Sequence, residues 1–402
     1  MGTGIIAPVV KTDTLLAWVA ALFLAACLFS HTVALRMLLL AAGIVLAGIT
    51  VARHRREIRA LPPIWLPFLL WALWAGLSIA WSVEPARSVK EWHNEVLYTG
   101  VALWICYVGA QARSAPRILA GVVASAALVA CMAALYDFSQ SLARYAAGIH
   151  GGAGNHSSAL ITMMPCALAV AWYQGREHRS RWTAFTALGL AALLLTSAYT
   201  ALNRTIWLAF GLQFALLGIL LLGRSMRRPT PRLLIIGIAV LAGCAAMILS
   251  IQAERQALGY AKALEKDSRL ALWPEVVERI AERPFTGYGF GRGVLRSALQ
   301  EELGNVDKYL WHAHNYFLEA LLQAGVPGLL LLLVLLGAIV REAWRLARGP
   351  DDWDLACGVA LLAVVAGMLV RNMTDTLLVR QNALLYWGTV GALLGLSKRT
   401  RG

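Results

Sequence analysis

The feature that most constrains this chain is a series of long apolar runs separated by short, arginine-rich connections. One of them extends from Phe317 to Val340, with Glu319 and Gln323 as its strongly polar residues. A helix needs about 20 apolar residues to cross a bilayer, whereas a transmembrane β-strand would show alternation over about ten residues. Only 14% of the residues are charged, against about a quarter in soluble proteins. The sequence therefore predicts an all-α, polytopic membrane protein.

The apolar runs predict about twelve transmembrane helices, each with ends uncertain by a few residues. The predicted spans are 14–30, 33–52, 63–81, 96–112, 117–137, 156–174, 183–199, 206–223, 232–251, 314–340, 354–372 and 381–397. Between the ninth and tenth lies one large loop. We therefore predict three parts, with helices 1–9 in residues 1–251, a loop domain in 252–311 and helices 10–12 in 312–402.

Basic residues in the connections predict the orientation, because Lys and Arg are enriched in cytoplasmic loops. With the N-terminus inside, the inner connections hold 20 of the 36 basic residues and the short outer connections hold 7. Both termini are then cytoplasmic and residues 252–311 lie outside. The net charge of +14 is spread over both faces, which favours anionic lipid headgroups over nucleic acid as partners.

The richest polar cluster stands where the tenth predicted helix begins, and it holds His312, His314, Asn315 and Glu319. The positive end of a helix dipole favours bound anions and a neutral imidazole. A neutral imidazole can accept a proton from an attacking hydroxyl. Asn315 and Glu319, four residues apart, could bond each other or orient the histidine. Two alternatives remain, namely interfacial histidines that cap the helix and a metal site.

Four arginines on the predicted outer face are candidates to bind phosphate: Arg204, Arg269, Arg283 and Arg292. A guanidinium at the membrane boundary is costly unless it meets an anion or water, and its planar fork matches phosphate oxygens. They predict a pyrophosphate clamp, with ordinary salt bridges as the alternative. Gly287, Gly289 and Gly291 form either a phosphate-approaching loop or a plain tight turn. The segment Asp352-Trp353-Asp354 is interpreted as a helix start.

These motifs together resemble the O-antigen ligase and O-antigen polymerase superfamily of bacterial inner membranes. The resemblance covers about residues 150–340. The matching segments are Gly154-Asn155-His156, Asn203-Arg204-Thr205-Ile206-Trp207, Arg269 with Trp273, Pro284 with Gly287-Tyr288-Gly289, His312-Ala313-His314-Asn315 with Glu319, and Gly325-Val326-Pro327-Gly328. Asn203 stands where many members have Ser.

The resemblance implies an inner-membrane glycosyltransferase with a periplasmic active site. Such a ligase moves a glycan from undecaprenyl pyrophosphate to lipid A–core oligosaccharide, without metal or other cofactor. By resemblance His314 is the essential histidine, and Arg204 and Arg269 are the essential arginines. We expect Arg292 and His312 to help bind pyrophosphate, and Asn315, Glu319, Asn155 and Arg283 to support the site.

Three alternatives stay open. An O-antigen polymerase shares the donor and differs in the acceptor. A protein O-oligosaccharyltransferase shares the motifs, but the sequence shows no extra C-terminal domain for a protein acceptor. A lipid or polysaccharide transporter should instead show internal repeats and polar residues deep in several spans, and neither is seen in this sequence.

Overall fold

The computed structural model describes residues 12–54, 56, 58–140, 149–176, 180–225, 242–251, 253, 268–303 and 313–398. Within these ranges the regular structure is helical and contains no strand, which confirms the all-α prediction. The helices are α1 (Thr12–Ala26), α2 (Val33–Arg53), α3 (Trp65–Leu77), α4 (Pro85–Trp92), α5 (Tyr98–Gly109), α6 (Ala115–Gln140), α7 (Ala153–Gly175), α8 (Arg181–Thr200), α9 (Arg204–Leu217), α10 (Ala242–Ile251), α11 (Ser268–Glu282), α12 (Arg292–Leu303), α13 (Tyr316–Ala347), α14 (Asp352–Asn372) and α15 (Arg380–Leu396).

Six of the described helices are long and apolar enough to cross a membrane. They are Val33–Arg53, Ala115–Gln140, Arg181–Thr200, Arg204–Leu221, Tyr316–Ala347 and Asp352–Asn372. Helices also occupy the other predicted spans, but α5 has 12 residues and α15 has 17, and the ninth predicted span is described only over α10. The count of twelve, the loop placement and the three-part division therefore stay predictions.

The interior of the bundle is built around α14 and α15. Helix α14 packs against α7, α9 and α13, and α15 packs against α5. Every residue of α15 from Gln381 to Leu396 is buried. Two glycines permit this close approach, because a Cβ at Gly391 would collide with the Leu103 carbonyl oxygen and one at Gly395 with that of Tyr107. The central helices are therefore fixed by tight contact between backbones.

Helix α13 is not the single continuous span that the sequence predicted, because it breaks at Gly325. There φ is 66° and ψ is −172°, a conformation that glycine adopts without steric cost. The freed groups are satisfied by other segments. The Val326 N–H donates to the Pro284 carbonyl at 2.7 Å, and Trp74 Nε1 donates to the Ala324 carbonyl at 2.9 Å. The first part of α13, Tyr316 to Ala324, is thus held by α3 and by the turn before α12.

The polar connections gather at two opposite ends of the bundle. At one end, Arg176 and Arg224 lie 3.1 and 3.7 Å from the Asp352 carboxylate, and Asp351 caps the start of α14. This confirms that Asp352-Trp353-Asp354 is a helix start. At the other end, the connections before α7, α9 and α13 meet the one between α14 and α15. Among the described residues, the predicted outer connections that make these contacts thus share one end, and the predicted inner connections around Arg176, Arg224 and Asp352 share the other.

Candidate active site

The turn that precedes α13 is held in place from both sides. Asn315 is the N-cap residue, and its Oδ1 accepts from the N–H groups of Phe317 at 3.0 Å and Leu318 at 3.2 Å. Its Nδ2 donates to the Met373 carbonyl at 3.0 Å. Trp273, one of the family-like residues in α11, donates from Nε1 to the Ala313 carbonyl at 3.0 Å. The backbone on either side of His314 is therefore fixed by hydrogen bonds to two distant segments.

Glu319 does not pair with Asn315, although their spacing allowed it. The Glu319 side chain is buried, and its Oε2 accepts from the Ala313 N–H at 3.1 Å and the Thr376 hydroxyl at 3.4 Å. Gln323 Nε2 lies 3.5 Å from the other carboxylate oxygen. Through these hydrogen bonds, the Glu319 side chain links the His314 turn to the connection between α14 and α15.

His314 lies beside a carboxylate that the sequence analysis did not single out. Its Nδ1 is 3.5 Å from Asp375 Oδ1, and the side chains of His314 and Asp375 are 21% and 24% exposed. The backbone at His314 has φ 46°, an uncommon value for a residue with a Cβ and one that often marks a functional position. A carboxylate near Nδ1 favours the tautomer with its proton on Nδ1, which leaves Nε2 to accept a proton.

Asp375 is itself held by a buried arginine of α14. Arg371 Nη2 lies 3.6 Å from Asp375 Oδ2, and the Arg371 side chain is only 4% exposed. Arg371 Nε also donates to the Ser157 hydroxyl of α7 at 3.3 Å. Burial raises the pKa of Asp375. The contact with His314 and the charge of Arg371 lower this pKa by a larger amount, so that the net shift is downward. Asp375 therefore stays ionised beside the imidazole.

Other candidate groups contact residues 373–376, which we call the 373–376 turn. Arg292, the first residue of α12, donates from Nη1 to the Thr376 carbonyl at 3.2 Å. Arg204 is the first residue of α9, and the next residue, Thr205, shares a hydrogen bond of 3.2 Å with Thr374. Two of the predicted phosphate-binding arginines thus start helices that contact the same turn as His314.

The remaining predicted site residues are placed as follows. Asn155 Oδ1 accepts from Asn382 Nδ2 at 2.9 Å, and Asn155 Nδ2 donates to the Gly151 carbonyl at 3.1 Å. Arg283 is exposed and stacks on the Tyr288 ring, with 4.8 Å between Cζ and the ring centroid. Arg269 belongs to α11, but its side chain lies outside the described residues, as does all of His312. The contacts of Arg283 are thus with the glycine-rich turn.

The glycine-rich turn is structural. Its five consecutive N–H groups, from Gly287 to Gly291, all donate within the protein: to the carbonyls of Arg283, Leu322 and Gln323, to the Ser78 hydroxyl and to the Gln323 side chain. A Cβ at Gly287 would stand 2.6 Å from the Leu322 carbonyl oxygen. The alternative of a loop whose amides cradle phosphate is therefore wrong, because those amides are already used within the protein, and three of them dock the turn on α13.

A second acid lies near Glu319 and was also not singled out. Glu95 follows α4 in a short π-helical segment, His93–Leu97, and both glutamates line a narrow cavity with Tyr316 and Trp387. Burial, followed by the neighbouring Glu91 and Glu319 carboxyls, raises the pKa of Glu95 well above its usual value, and Arg292 opposes the shift. The surroundings of Glu95 therefore favour its protonated form.

Among the described residues, no group of three or more His, Cys, Asp or Glu side chains lies close enough to hold a metal ion. The free cysteines of the same residues are mostly buried. The expectation that the reaction needs no metal remains a prediction, because His312 is not described.

Two comparisons with known proteins bear on this site. None of the curated proteins compared with the chain matches it. Residues 189–333 match the family model described as O-antigen ligase, and this range contains α9, α11, α12 and the His314 turn. The match agrees with the motifs that carry the resemblance. Over residues 189–333 the chain therefore resembles the O-antigen ligase domain, and this match supports the O-antigen ligase/polymerase superfamily.

Proposed function

We propose that this protein is an O-antigen ligase that transfers a glycan from undecaprenyl pyrophosphate to lipid A–core oligosaccharide. The observation that carries the proposal is the His314–Asp375 pair at a helix start, together with the contacts that the helices beginning at Arg204 and Arg292 make with the 373–376 turn. An acid–imidazole pair suits removal of a proton from a hydroxyl. Arginines at the same turn suit a pyrophosphate leaving group.

In the proposed reaction, an acceptor hydroxyl oxygen attacks the anomeric carbon of the lipid-linked sugar. The bond from that carbon to the pyrophosphate oxygen breaks, and undecaprenyl pyrophosphate leaves with the electron pair. His314 Nε2 takes the hydroxyl proton. A single displacement inverts the anomeric configuration and needs neither a metal nor a nucleotide.

Each predicted site residue has a role in this proposal. Arg204, Arg269 and Arg292, with His312, bind the pyrophosphate and stabilise the charge that develops on it. Asn315 and Glu319 hold the His314 turn, Asn155 supports the start of α7, and Arg283 supports the glycine-rich turn. An alternative role for His314 is a hydrogen bond to pyrophosphate.

The proposal includes the location. The site faces the periplasm, both termini are cytoplasmic, and the protein lies in the bacterial inner membrane. The excess of basic residues in the predicted inner connections supports this orientation. Labelling of single cysteines introduced into 252–311 and at the C-terminus from one side of the membrane tests it.

The decisive experiment is reconstitution of the purified protein with a lipid-linked glycan and defined acceptors. We expect His314→Ala to lower the transfer rate by about 10²–10⁴-fold, the usual contribution of a general base, and His31→Ala, an exposed histidine at the same end, to leave it unchanged. Normal transfer by H314A at normal protein levels would exclude His314 from the chemistry. Transfer to lipid A–core supports a ligase, growth of the donor glycan a polymerase, and movement without covalent transfer a transporter.

A further inference from the structure

A separate pocket lies at the end of the bundle opposite His314. It has a volume of about 340 Å³, within the roughly 300–1,000 Å³ range of ligand pockets. It opens between the connection after α2 and the ends of α5, α13 and α15. Its polar lining consists of Arg59, Tyr107, Glu342, Arg345 and Lys398. None of these residues belongs to the proposed transfer site.

The charges around the pocket do not balance. Glu342 is matched by its own helix, because its Oε2 lies 2.9 Å from Arg345 Nε and its Oε1 lies 3.5 Å from Arg341 Nη2. Among the described residues, the side chains of Arg59 and Lys398 form no ion pair. Burial, with help from Arg345 and Arg59, lowers the pKa of Lys398, and Asp354 and Glu342 oppose that shift. The pocket thus holds a surplus of positive charge.

A buried hydroxyl gives a second, independent indication. The Tyr107 side chain is fully buried, and its hydroxyl has no hydrogen-bond partner among the described residues. The same side chain lines the pocket and interacts electrostatically with Arg59 and Glu342. A buried donor without a partner costs about 1–3 kcal/mol. An acceptor oxygen inside the pocket would remove that cost.

The connection that carries Arg59 is fixed rather than loose. The buried Gln111 side chain accepts from the Arg59 N–H at 3.0 Å and donates to the Arg59 carbonyl at 2.9 Å. Trp104 Nε1 donates to the Ala60 carbonyl at 2.8 Å. The backbone that presents the guanidinium is therefore ordered before any ligand arrives, which lowers the entropic cost of binding.

We propose that this pocket binds a phosphate-bearing anion through Arg59, Lys398 and the Tyr107 hydroxyl. The arginine fork matches two phosphate oxygens, the ammonium adds a point charge, and the phenol donates to a third oxygen. Such an anion is carried by an anionic lipid headgroup, which basic pockets between transmembrane helices recognise, or by soluble phosphate. Leu61, half-exposed in the same connection, is placed to contact an acyl chain.

Native mass spectrometry of the purified full chain tests the proposal. Phosphatidylglycerol, phosphatidylcholine and inorganic phosphate are titrated separately. We expect phosphatidylglycerol to be retained and phosphatidylcholine not to be. The double variant Arg59→Gln with Lys398→Gln should weaken binding at least tenfold, and Tyr107→Phe by roughly two- to tenfold, the effect of one hydrogen bond.

The matched control is Arg53→Gln with Arg348→Gln, which removes the same charge from exposed positions at the same end. If the wild type retains phosphate but not phosphatidylglycerol, and the double variant loses phosphate binding, the site is supported and its ligand is a soluble anion. Equal binding by wild type and double variant, or an equal loss in the control, would overturn it. If the double variant does not fold, undiminished binding by Y107F, measured at the same folded level, overturns it instead.

Discussion

Replacement of Asp375 by Asn tests the arrangement around His314 most directly. The change keeps the size of the side chain and removes the carboxylate charge. A hydrogen bond to a charged group contributes about 1.5–3 kcal/mol. The lower part of that range applies here, because the separation is 3.5 Å and both side chains are about a fifth exposed. A loss of about 1.5–2 kcal/mol in the transition state corresponds to a transfer rate about 10–30-fold slower.

The assay is single-turnover transfer of a lipid-linked glycan to lipid A–core by purified protein at neutral pH. Asp351→Asn is the matched control, because Asp351 caps α14 at the opposite end and Asn is an equally good cap. Asp375→Asn also removes a partner of the buried Arg371. Rates are therefore normalised to the folded fraction measured by thermal unfolding.

A double-mutant cycle separates positioning from other roles of Asp375. If Asp375 acts through His314, the D375N change has no further effect once His314 is Ala. An equal, additive loss in the H314A background would refute the reasoning, as would full activity of D375N at every pH.

Two further changes probe the fold around the site. Gly325→Ala should lower the free energy of unfolding by at least about 1–3 kcal/mol, the cost of one strained backbone position, since its Cβ would also collide with the Phe285 carbonyl. Gly337→Ala in open space on the same helix should be neutral or stabilising by up to about 1 kcal/mol, and equal thermal unfolding of the two variants would contradict this. For Glu95, whose pKa is raised in the folded protein, stability is fully present below the unfolded value of about 4.3 and is lost as pH rises through the folded value. Glu95→Gln should therefore raise the unfolding temperature more at pH 8 than at pH 5, and an equal shift at both would count against it.

The sequence predicted the helices well because each apolar run is a local pattern. The helix starts at Asn315 and Asp351 were similarly local, since Asn and Asp at the N-cap satisfy free N–H groups within the next turn. The all-α fold followed from these patterns alone. The number of spans that cross the membrane depends in addition on short helices such as α5, whose length does not settle it.

The site was predicted only in part because its contacts join segments far apart in the chain. Asp375 is 61 residues from His314 in the sequence, and Arg371 is one of the seven basic residues in the short outer connections of the predicted topology. The mostly polar segment from Arg371 to Thr376, interrupted by Met373, between two apolar helices was the available signal. The use of the glycine-rich amides by α13 could not be seen either, because it depends on the break at Gly325.

The break in α13 has a consequence for the order in which the protein assembles. Its missing backbone partners come from Pro284 and from Trp74, which both leave the ribosome before Gly325 does. Trp81 Nε1 in turn donates to the Thr286 carbonyl at 2.8 Å, so the acceptor turn is anchored to the short segment that directly follows α3. The segments that satisfy the break in α13 are thus synthesised before the break itself. If α13 were transferred to another protein without those earlier segments, the backbone groups freed by the break would enter the bilayer without hydrogen-bond partners.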